Sequence, residues 1–131
     1  MRGLLVIGHG SRQAEANATV LALARALAAD AGRPWQAVEA AFLEIVRPDI
    51  GEAYDALVRA GCTEIIAHPF FLFAGSHTSR DIPDALAGAQ SRHPRTRWTL
   101  TEPLGLHPGV VDAVRGRIDD ALAGASLRAG R

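Results

Sequence analysis

The feature that most constrains the fold is a regular alternation of short apolar runs with longer amphipathic stretches. Four runs are typical of buried strands: "LLVIG", "QAVEAAFLE", "TEIIAHPFFLF" and "TRWTLTEPLG". Each run is followed by apolar residues at helical spacing, and glycine or proline marks the boundaries between the segments. Strands that alternate with helices in this way indicate a parallel sheet covered on both faces. We therefore predict an α/β protein with a single three-layer lobe, in which helices cover both faces of a four-stranded parallel sheet.

Two of the predicted helices have boundaries that can be tested directly. The third is expected to start at "IP", which Asp81 and Asp84 flank in a way that suits a capped helix start, and to run to about Arg92, before Pro94. The last is expected to follow Pro108. Its apolar face comprises Val111, Val114, Ile118 and Leu122. We predict one domain over residues 1–124 and a disordered tail over residues 125–131, because "ASLRAGR" has too little apolar surface to bury.

Composition narrows the class of protein. The chain has 131 residues, of which 48 % are hydrophobic, so it is long enough to form a core. No apolar stretch approaches the roughly 20 residues that span a bilayer, and no signal-peptide pattern is present, so we expect a cytoplasmic protein without a membrane partner. The single cysteine, Cys62, suits a reducing compartment. The net charge of zero argues against electrostatic binding of nucleic acid.

Two histidines occupy corresponding positions after apolar runs. His9 follows the first predicted strand, and His77 lies in the predicted loop after the third. Each has an arginine three residues later, Arg12 and Arg80. Ligands of an open parallel sheet bind beyond the carboxyl ends of the strands, where the strand order reverses. If the order is 2-1-3-4, the first and third strands are neighbours about 4.8 Å apart, and both histidines emerge at the same crevice.

A carboxylate is expected at the same crevice. Glu44 ends the second predicted strand, on the other side of the first. Two imidazoles and one carboxylate suit a borderline divalent cation such as cobalt, nickel or iron(II). The alternative is that each histidine is a hydrogen-bonded structural group and that Glu44 is a solvated strand end or a helix-capping partner. The remaining histidines fit structural positions better: His68, His93 and His107.

Three other chemistries do not match the sequence. Histidine phosphatases carry an arginine before the histidine at the end of their first strand, where this chain has Gly8. There is no G-x-S-x-G nucleophile elbow. A Walker A phosphate loop needs a lysine, and all 14 basic residues of this chain are arginine.

The same segments resemble the class II chelatases, in particular the small, single-lobe sirohydrochlorin cobaltochelatases. The matching segments are "LLVIGHGSR" with "EAN" shortly after, "VEAAFLEIVRPDI", "FFLFAGSHTSRDIP" and "PLGLHPGVVDAV". They cover nearly the whole chain in the expected order, and only His68 departs from the apolar residue expected there. The resemblance implies that His9 and His77 are catalytic and metal-binding residues. It also implies that Glu44, the acidic position of "AFLE", is a further metal ligand.

The resemblance also implies an activity. Such an enzyme inserts a divalent metal into sirohydrochlorin without ATP, for cobalamin or sirohaem biosynthesis. We expect Co²⁺ as the metal substrate, with Ni²⁺ or Fe²⁺ as alternatives, and no tightly bound cofactor. The substrate carries carboxylates, which guanidinium groups bind through paired hydrogen bonds. The residues expected to bind the substrate are Ser11, Arg12, Arg47 and Arg80.

The resemblance finally implies a homodimer. Chelatases of ordinary length have two lobes that face one cleft, whereas this chain has one lobe, so two copies would build the cleft together. The "FFLF" segment and the third helix are the expected contact regions. The alternative function is that of a metal or tetrapyrrole carrier that uses the same two histidines without catalysis.

Overall fold

The computed structural model describes residues 1–129, with side chains as far as residue 124. Within that range, four strands alternate with four helices. The strands are Arg2–Gly8 (β1), Ala37–Phe42 (β2), Glu64–Pro69 (β3) and Arg97–Leu100 (β4). The helices are Ala14–Ala28 (α1), Ile50–Arg59 (α2), Ser76–Arg92 (α3) and Pro108–Ala129 (α4). The strands form one parallel sheet, which confirms the predicted fold class. Their order is β2-β1-β3-β4, the order under which the two histidines are expected at one crevice.

The sheet is covered on both faces because the side chains of its central strand alternate between two cores. Leu5 and Ile7 of β1 pack with apolar residues of α2 and α3. Leu4 and Val6 pack on the other face, with Val20 of α1. A strand buried on both faces cannot have polar residues in alternate positions, which explains why "LLVIG" is a continuous apolar run.

Helix α3 begins at Ser76, before the "IP" that Asp81 and Asp84 flank, so the predicted start was wrong. Gly75 is the residue before the first turn and has an extended backbone, and the helix continues from there past Pro83 to Arg92. Proline has no N–H to donate inside a helix, and for this reason the sequence pattern favoured a start just before it. Tertiary packing outweighs that loss: Ile82, Leu86 and Ala89 of α3 are buried in the core. His77 therefore lies in the first turn of a helix and not in a loop.

Helix α4 differs from the other helices in its environment. Its apolar residues share one face as predicted, but they are exposed. Val111, Val114, Ile118 and Leu122, which we call the α4 stripe, have exposed fractions of 37 %, 54 %, 52 % and 61 %. The backbone of α4 continues to Ala129. The side chains of the tail predicted over residues 125–131 lie outside the described part of the chain, so the boundary at residue 124 stays a prediction.

No helix within residues 1–129 is both long enough and apolar enough to cross a lipid bilayer.

Candidate functional site

The candidate residues lie at the carboxyl edge of the sheet. His9 directly follows β1, and Glu44 comes two residues after the end of β2. His77 is in the first turn of α3, the helix that follows β3. Because β1 lies between β2 and β3, the three residues emerge from neighbouring strands at the one edge where the strand order reverses. Their placement is the one that the strand order requires, while their roles stay predictions.

The segment after His9 is held against the segment after β2. The N–H of Leu43 donates to the carbonyl oxygen of Gly8 at 3.0 Å, and the N–H of Glu44 donates to that of His9 at 3.1 Å. Gly10 has a φ of +90°. A Cβ at this position would overlap the carbonyl oxygen of Glu44. Only glycine fits here, because it combines a positive φ with a close approach of two backbones.

The turn after Glu44 is also constrained. Ile45 has a φ of 72°, a left-handed conformation that β-branched residues rarely adopt. The N–H of Val46 donates to the carbonyl oxygen of Glu44 at 2.8 Å. The chain therefore bends sharply directly after Glu44, and the exposed carboxylate stays at the edge of the sheet.

The imidazole of His9 rests on an aromatic ring. It stacks on Phe71 with a centroid separation of 4.0 Å and an interplanar angle of 27°. Phe71 is only 7 % exposed and belongs to the core, so it forms a rigid support for the ring. From the sequence, the "FFLF" segment fits the core, a subunit contact or an apolar wall against a flat ligand, and none of these interpretations identifies the stacking on His9. No sequence signal distinguishes Phe71 from its aromatic neighbours, since the pairing depends on how two loops meet.

The backbone after His9 is also held by an amide side chain. Oδ1 of Asn17 accepts from the N–H of Ser11 at 2.9 Å, and Nδ2 of Asn17 donates to the carbonyl oxygen of Ser11 at 2.7 Å. The hydroxyl of Ser11 accepts from the N–H of Gln13 at 3.0 Å and so supports the start of α1. Asn17 was not among the predicted site residues, although the matching segment "EAN" contains it.

The second histidine has a carboxylate partner on its own helix. The side chain of His77 is 92 % exposed, and its Nε2 lies 2.9 Å from Oδ2 of Asp81. A carboxylate at this distance can pair with the ring when the imidazole carries a positive charge. The sequence reasoning used Asp81 as a helix cap and missed this pairing. The four-residue spacing could have indicated it, because such residues are neighbours on a helix surface.

The arginines expected to bind substrate differ in their surroundings. Nε of Arg47 donates to both carboxylate oxygens of Glu52 at 3.1 Å, so this guanidinium is engaged with α2. The hydrogen bonds from Arg47 lower the pKa of the Glu52 carboxyl below its ordinary value. Arg12 and Arg80 are exposed, and each follows a candidate histidine by three residues in the sequence. Among the described contacts neither guanidinium has an ion-pair partner, so both are freer than Arg47 to bind an anionic ligand.

A single chain does not assemble a closed metal site from the described residues. Within residues 1–129, no group of three or more His, Cys, Asp or Glu side chains is arranged to hold a metal ion. His9, Glu44 and His77 are each exposed at the edge of the sheet. The candidate site is thus an open rim, which one copy of the chain does not enclose.

The other three histidines have structural partners. Nδ1 of His68 lies 2.8 Å from the hydroxyl of Thr101, and burial lowers the pKa of the imidazole. Nε2 of His93 lies 2.7 Å from Asp55. His107 accepts from the N–H of Gly109 at 2.9 Å, at the start of α4. These contacts agree with the structural roles that the sequence reasoning favoured.

Known proteins of similar sequence indicate the family of the chain. The CbiX family model matches residues 3–121 of the chain. A sirohydrochlorin cobaltochelatase from Methanothermobacter thermautotrophicus is 32 % identical over 135 residues, and the match covers 92 % of each chain. The chloroplastic sirohydrochlorin ferrochelatase of Arabidopsis thaliana is 33 % identical over 121 residues, which cover 92 % of this chain and 53 % of the relative.

A solved structure supports the same relationship. The sirohydrochlorin chelatase SirB from Bacillus subtilis subspecies spizizenii, in complex with cobalt, matches with a TM-score of 0.80 and 34 % identity. That match covers 91 % of this chain and 50 % of the SirB chain. The chain spans 39 % to 53 % of the length of three curated relatives, and 92 % of the length of the relative from M. thermautotrophicus. It therefore corresponds either to a whole relative or to about half of one.

Proposed function

The chain belongs to the CbiX family, and from this premise we propose that it inserts a divalent metal into sirohydrochlorin. Co²⁺ is the metal that we expect, with Fe²⁺ and Ni²⁺ as alternatives. The observation that carries the proposal is the position of His9 and His77, two exposed imidazoles at the switch point of one sheet edge. The names of the relatives include both cobaltochelatase and ferrochelatase, so they support metal insertion and do not select the metal.

The proposed chemistry fits the surroundings of the two histidines. A free tetrapyrrole must lose two N–H protons as the cation enters the ring. The imidazole of His77 can hold the cation or accept a proton, and the carboxylate of Asp81, 2.9 Å from Nε2, stabilises the positive charge that the ring then carries. His9 can do the same from its fixed position on Phe71. Glu44 offsets part of the charge of the incoming cation as the third candidate ligand.

Apolar and cationic side chains near the histidines suit a flat anionic substrate. Ile45 and Leu72 are exposed, and Phe73 is 78 % exposed, on the loops that leave β2 and β3. These side chains form an apolar platform for the macrocycle. Arg12 and Arg80 then bind its peripheral carboxylates. Ser11 and Arg47 complete the proposed set of substrate-binding residues. Arg47 can bind the substrate only after its hydrogen bonds to Glu52 have broken.

We propose further that two copies of the chain enclose the substrate and that the protein acts in the cytoplasm without a tightly bound cofactor. The open rim and the match to one half of longer relatives support a homodimer. Cys62, the single cysteine of the sequence, is buried in the core, which suits a reducing compartment.

The proposal is tested by the absorbance change that follows metal insertion. The purified protein is mixed with sirohydrochlorin and Co²⁺, Ni²⁺ or Fe²⁺, and the rate is compared with the spontaneous reaction. We expect acceleration with at least one metal and a loss of about 100-fold or more in His9→Ala and His77→Ala. Arg59→Ala is the matched control, because Arg59 is an exposed cation at the far end of α2. Bound substrate without faster metal insertion would instead indicate a carrier and contradict the proposal.

A further inference from the structure

A polar cavity lies at the edge of the sheet opposite to the candidate functional site. All four strands begin at this edge, because the sheet is parallel. The cavity has a volume of about 560 Å³, and each strand contributes its first residue or the residue just before it. Polar side chains in the walls include Arg2, Gln36, Thr63, Glu64, Arg95 and Arg97. The cavity is therefore separate from the rim that carries His9 and His77.

Hydrogen bonds hold the walls of this cavity in fixed positions. The N–H of Arg2 donates to Oε1 of Gln36 at 2.9 Å, and the N–H of Gln36 donates to the carbonyl oxygen of Arg2 at 2.9 Å. The N–H of Arg97 donates to the carbonyl oxygen of Thr63 at 3.0 Å. The guanidinium of Arg2 is held as well, because it donates to the carbonyl oxygen of Pro34 at 3.2 Å. A ligand therefore meets a preformed site, which reduces the entropy lost on binding.

The side chains of the walls carry more positive charge than the chain neutralises there. Arg2 and Arg97 both pair with the same oxygen of Glu64, Oε2, at 3.3 Å and 3.6 Å. Arg95 is exposed and has no ion-pair partner within the described residues. Three guanidinium groups thus share one carboxylate, which leaves an excess of two positive charges. The net charge of the whole chain is zero, so this excess is a local property of the cavity.

Hydrogen-bond donors in the walls also exceed the acceptors that the chain supplies. Nε of Arg2 is buried and has no hydrogen-bond partner within the described residues, so the chain does not fully satisfy this guanidinium. Gln36 uses its amide oxygen to accept from Arg2, which leaves its Nε2 as a donor. Unpaired donors beside a cluster of cations favour a ligand that accepts hydrogen bonds and is negatively charged.

We propose that this cavity, which we call the amino-edge site, binds a compact anion that carries at least two carboxylate or phosphate groups. Guanidinium groups bind both kinds of oxyanion through paired hydrogen bonds. One group of the anion binds Arg95, which has no other ion-pair partner in the described part of the chain. A second group binds Arg97, whose contact with Glu64 is long at 3.6 Å. The fixed guanidinium of Arg2 adds to the positive potential between them.

Isothermal titration calorimetry tests the proposal with pyrophosphate and citrate as probes, on metal-free protein at constant ionic strength. We expect at least one probe to bind, and the probe that binds shows whether the site prefers phosphate or carboxylate. Replacing both exposed arginines, Arg95→Gln and Arg97→Gln, should weaken binding by about tenfold. Arg25→Gln is the matched control, because Arg25 is an exposed arginine on α1 outside the walls of the cavity, and it should bind as the wild type does. Binding of neither probe to the wild type overturns the proposal.

A second variant should change the affinity in the opposite direction. Glu64→Gln removes the one carboxylate of the amino-edge site and keeps an oxygen that accepts from Arg2. The repulsion between this carboxylate and a bound anion is lost, so the affinity should rise by about fivefold, the effect of two unit charges about 4 Å apart in water. Weaker binding by Glu64→Gln than by the wild type would contradict the proposal. Circular dichroism compares the folding of all variants.

A third variant separates this inference from the proposed function, because the carboxyl edge also carries exposed arginines. If Arg12→Gln abolishes binding of the probes while Arg95→Gln with Arg97→Gln does not, the anions bind at the candidate functional site and the inference is wrong. That result leaves the proposal of metal insertion intact. Binding that depends on Arg95 and Arg97 supports the inference even if the protein proves to be a carrier and not a chelatase.

Discussion

At the scale of single residues, the candidate site depends on backbone contacts that fix the loops after β1 and β2. Gly10 lets the loop after β1 pass directly against the backbone of Glu44. Asn17 then holds the next residue, Ser11, through both of its backbone groups. The two candidate ligands His9 and Glu44 are therefore positioned together, because their backbones are joined by a hydrogen bond of 3.1 Å.

We predict that Gly10→Ala lowers the free energy of unfolding by about 3 kcal/mol, because the new Cβ adds overpacking to the strain of a positive φ. Gly32→Ala is the matched control, since Gly32 also has a positive φ, +80°, but no atom lies within 4 Å of its added Cβ. It should lower the free energy by about 1 kcal/mol. Urea unfolding measures both values. Equal effects of the two substitutions would show that the contact with Glu44 is unimportant.

At the scale of secondary-structure elements, the helices follow from local signals where those signals agree with packing. Helix α2 has a complete capping box. The carboxylate of Asp49 accepts from the N–H of Glu52 at 2.8 Å, and that of Glu52 accepts from the N–H of Asp49 at 2.9 Å. In helix α3 the local signal and the packing disagree. Pro83 indicates a helix start next to it, but the helix begins earlier, at Ser76, because Ile82 and Leu86 pack in the core. Local sequence thus predicts a helix end reliably only where no tertiary contact competes.

We predict that Asp49→Ala destabilises the protein by about 1 kcal/mol, because it removes the acceptor at the start of α2. Asp49→Ser retains a capping oxygen, so it should destabilise the protein by only a few tenths of a kcal/mol. Asp119→Ala on exposed α4 is the control for loss of an aspartate that caps no helix. Thermal unfolding compares the four proteins. A destabilisation in Asp119→Ala as large as that in Asp49→Ala would contradict the capping role.

At the scale of the whole molecule, the lobe encloses its two cores but leaves the carboxyl edge and the α4 stripe open. The sheet also includes the ionisable ring of His68 on β3, which bonds to Thr101, the residue directly after β4. The charge of this ring affects the stability of the fold. The hydroxyl of Thr101 donates to the carbonyl oxygen of Glu102 at 3.0 Å, so it accepts from Nδ1–H of His68. Burial of this ring lowers its pKa below the ordinary 6.5, because the charged form loses hydration.

We predict that His68 makes global stability decrease as the pH falls below about 6.5. In that range the unfolded chain binds the proton more readily than the folded chain, so acid favours unfolding. The loss begins near the unfolded pKa and is complete below the lowered folded pKa. His68→Asn keeps a donor toward Thr101 and does not titrate. Urea unfolding between pH 5 and 8 should therefore give a steeper pH dependence for the wild type, and parallel curves would refute the assignment.

The sequence by itself determined the order of elements, the parallel sheet and the edge at which His9, Glu44 and His77 emerge. These features follow from periodicity and from the position of each residue after a strand, both of which are local properties of the chain. Only the tertiary structure decided that Phe71 supports His9, that Asp81 pairs with His77 and that the stripe on α4 is exposed. An apolar stripe has the same pattern whether it is buried in its own lobe or faces solvent. The difference depends on which surfaces the folded chain brings together, and no local pattern encodes this.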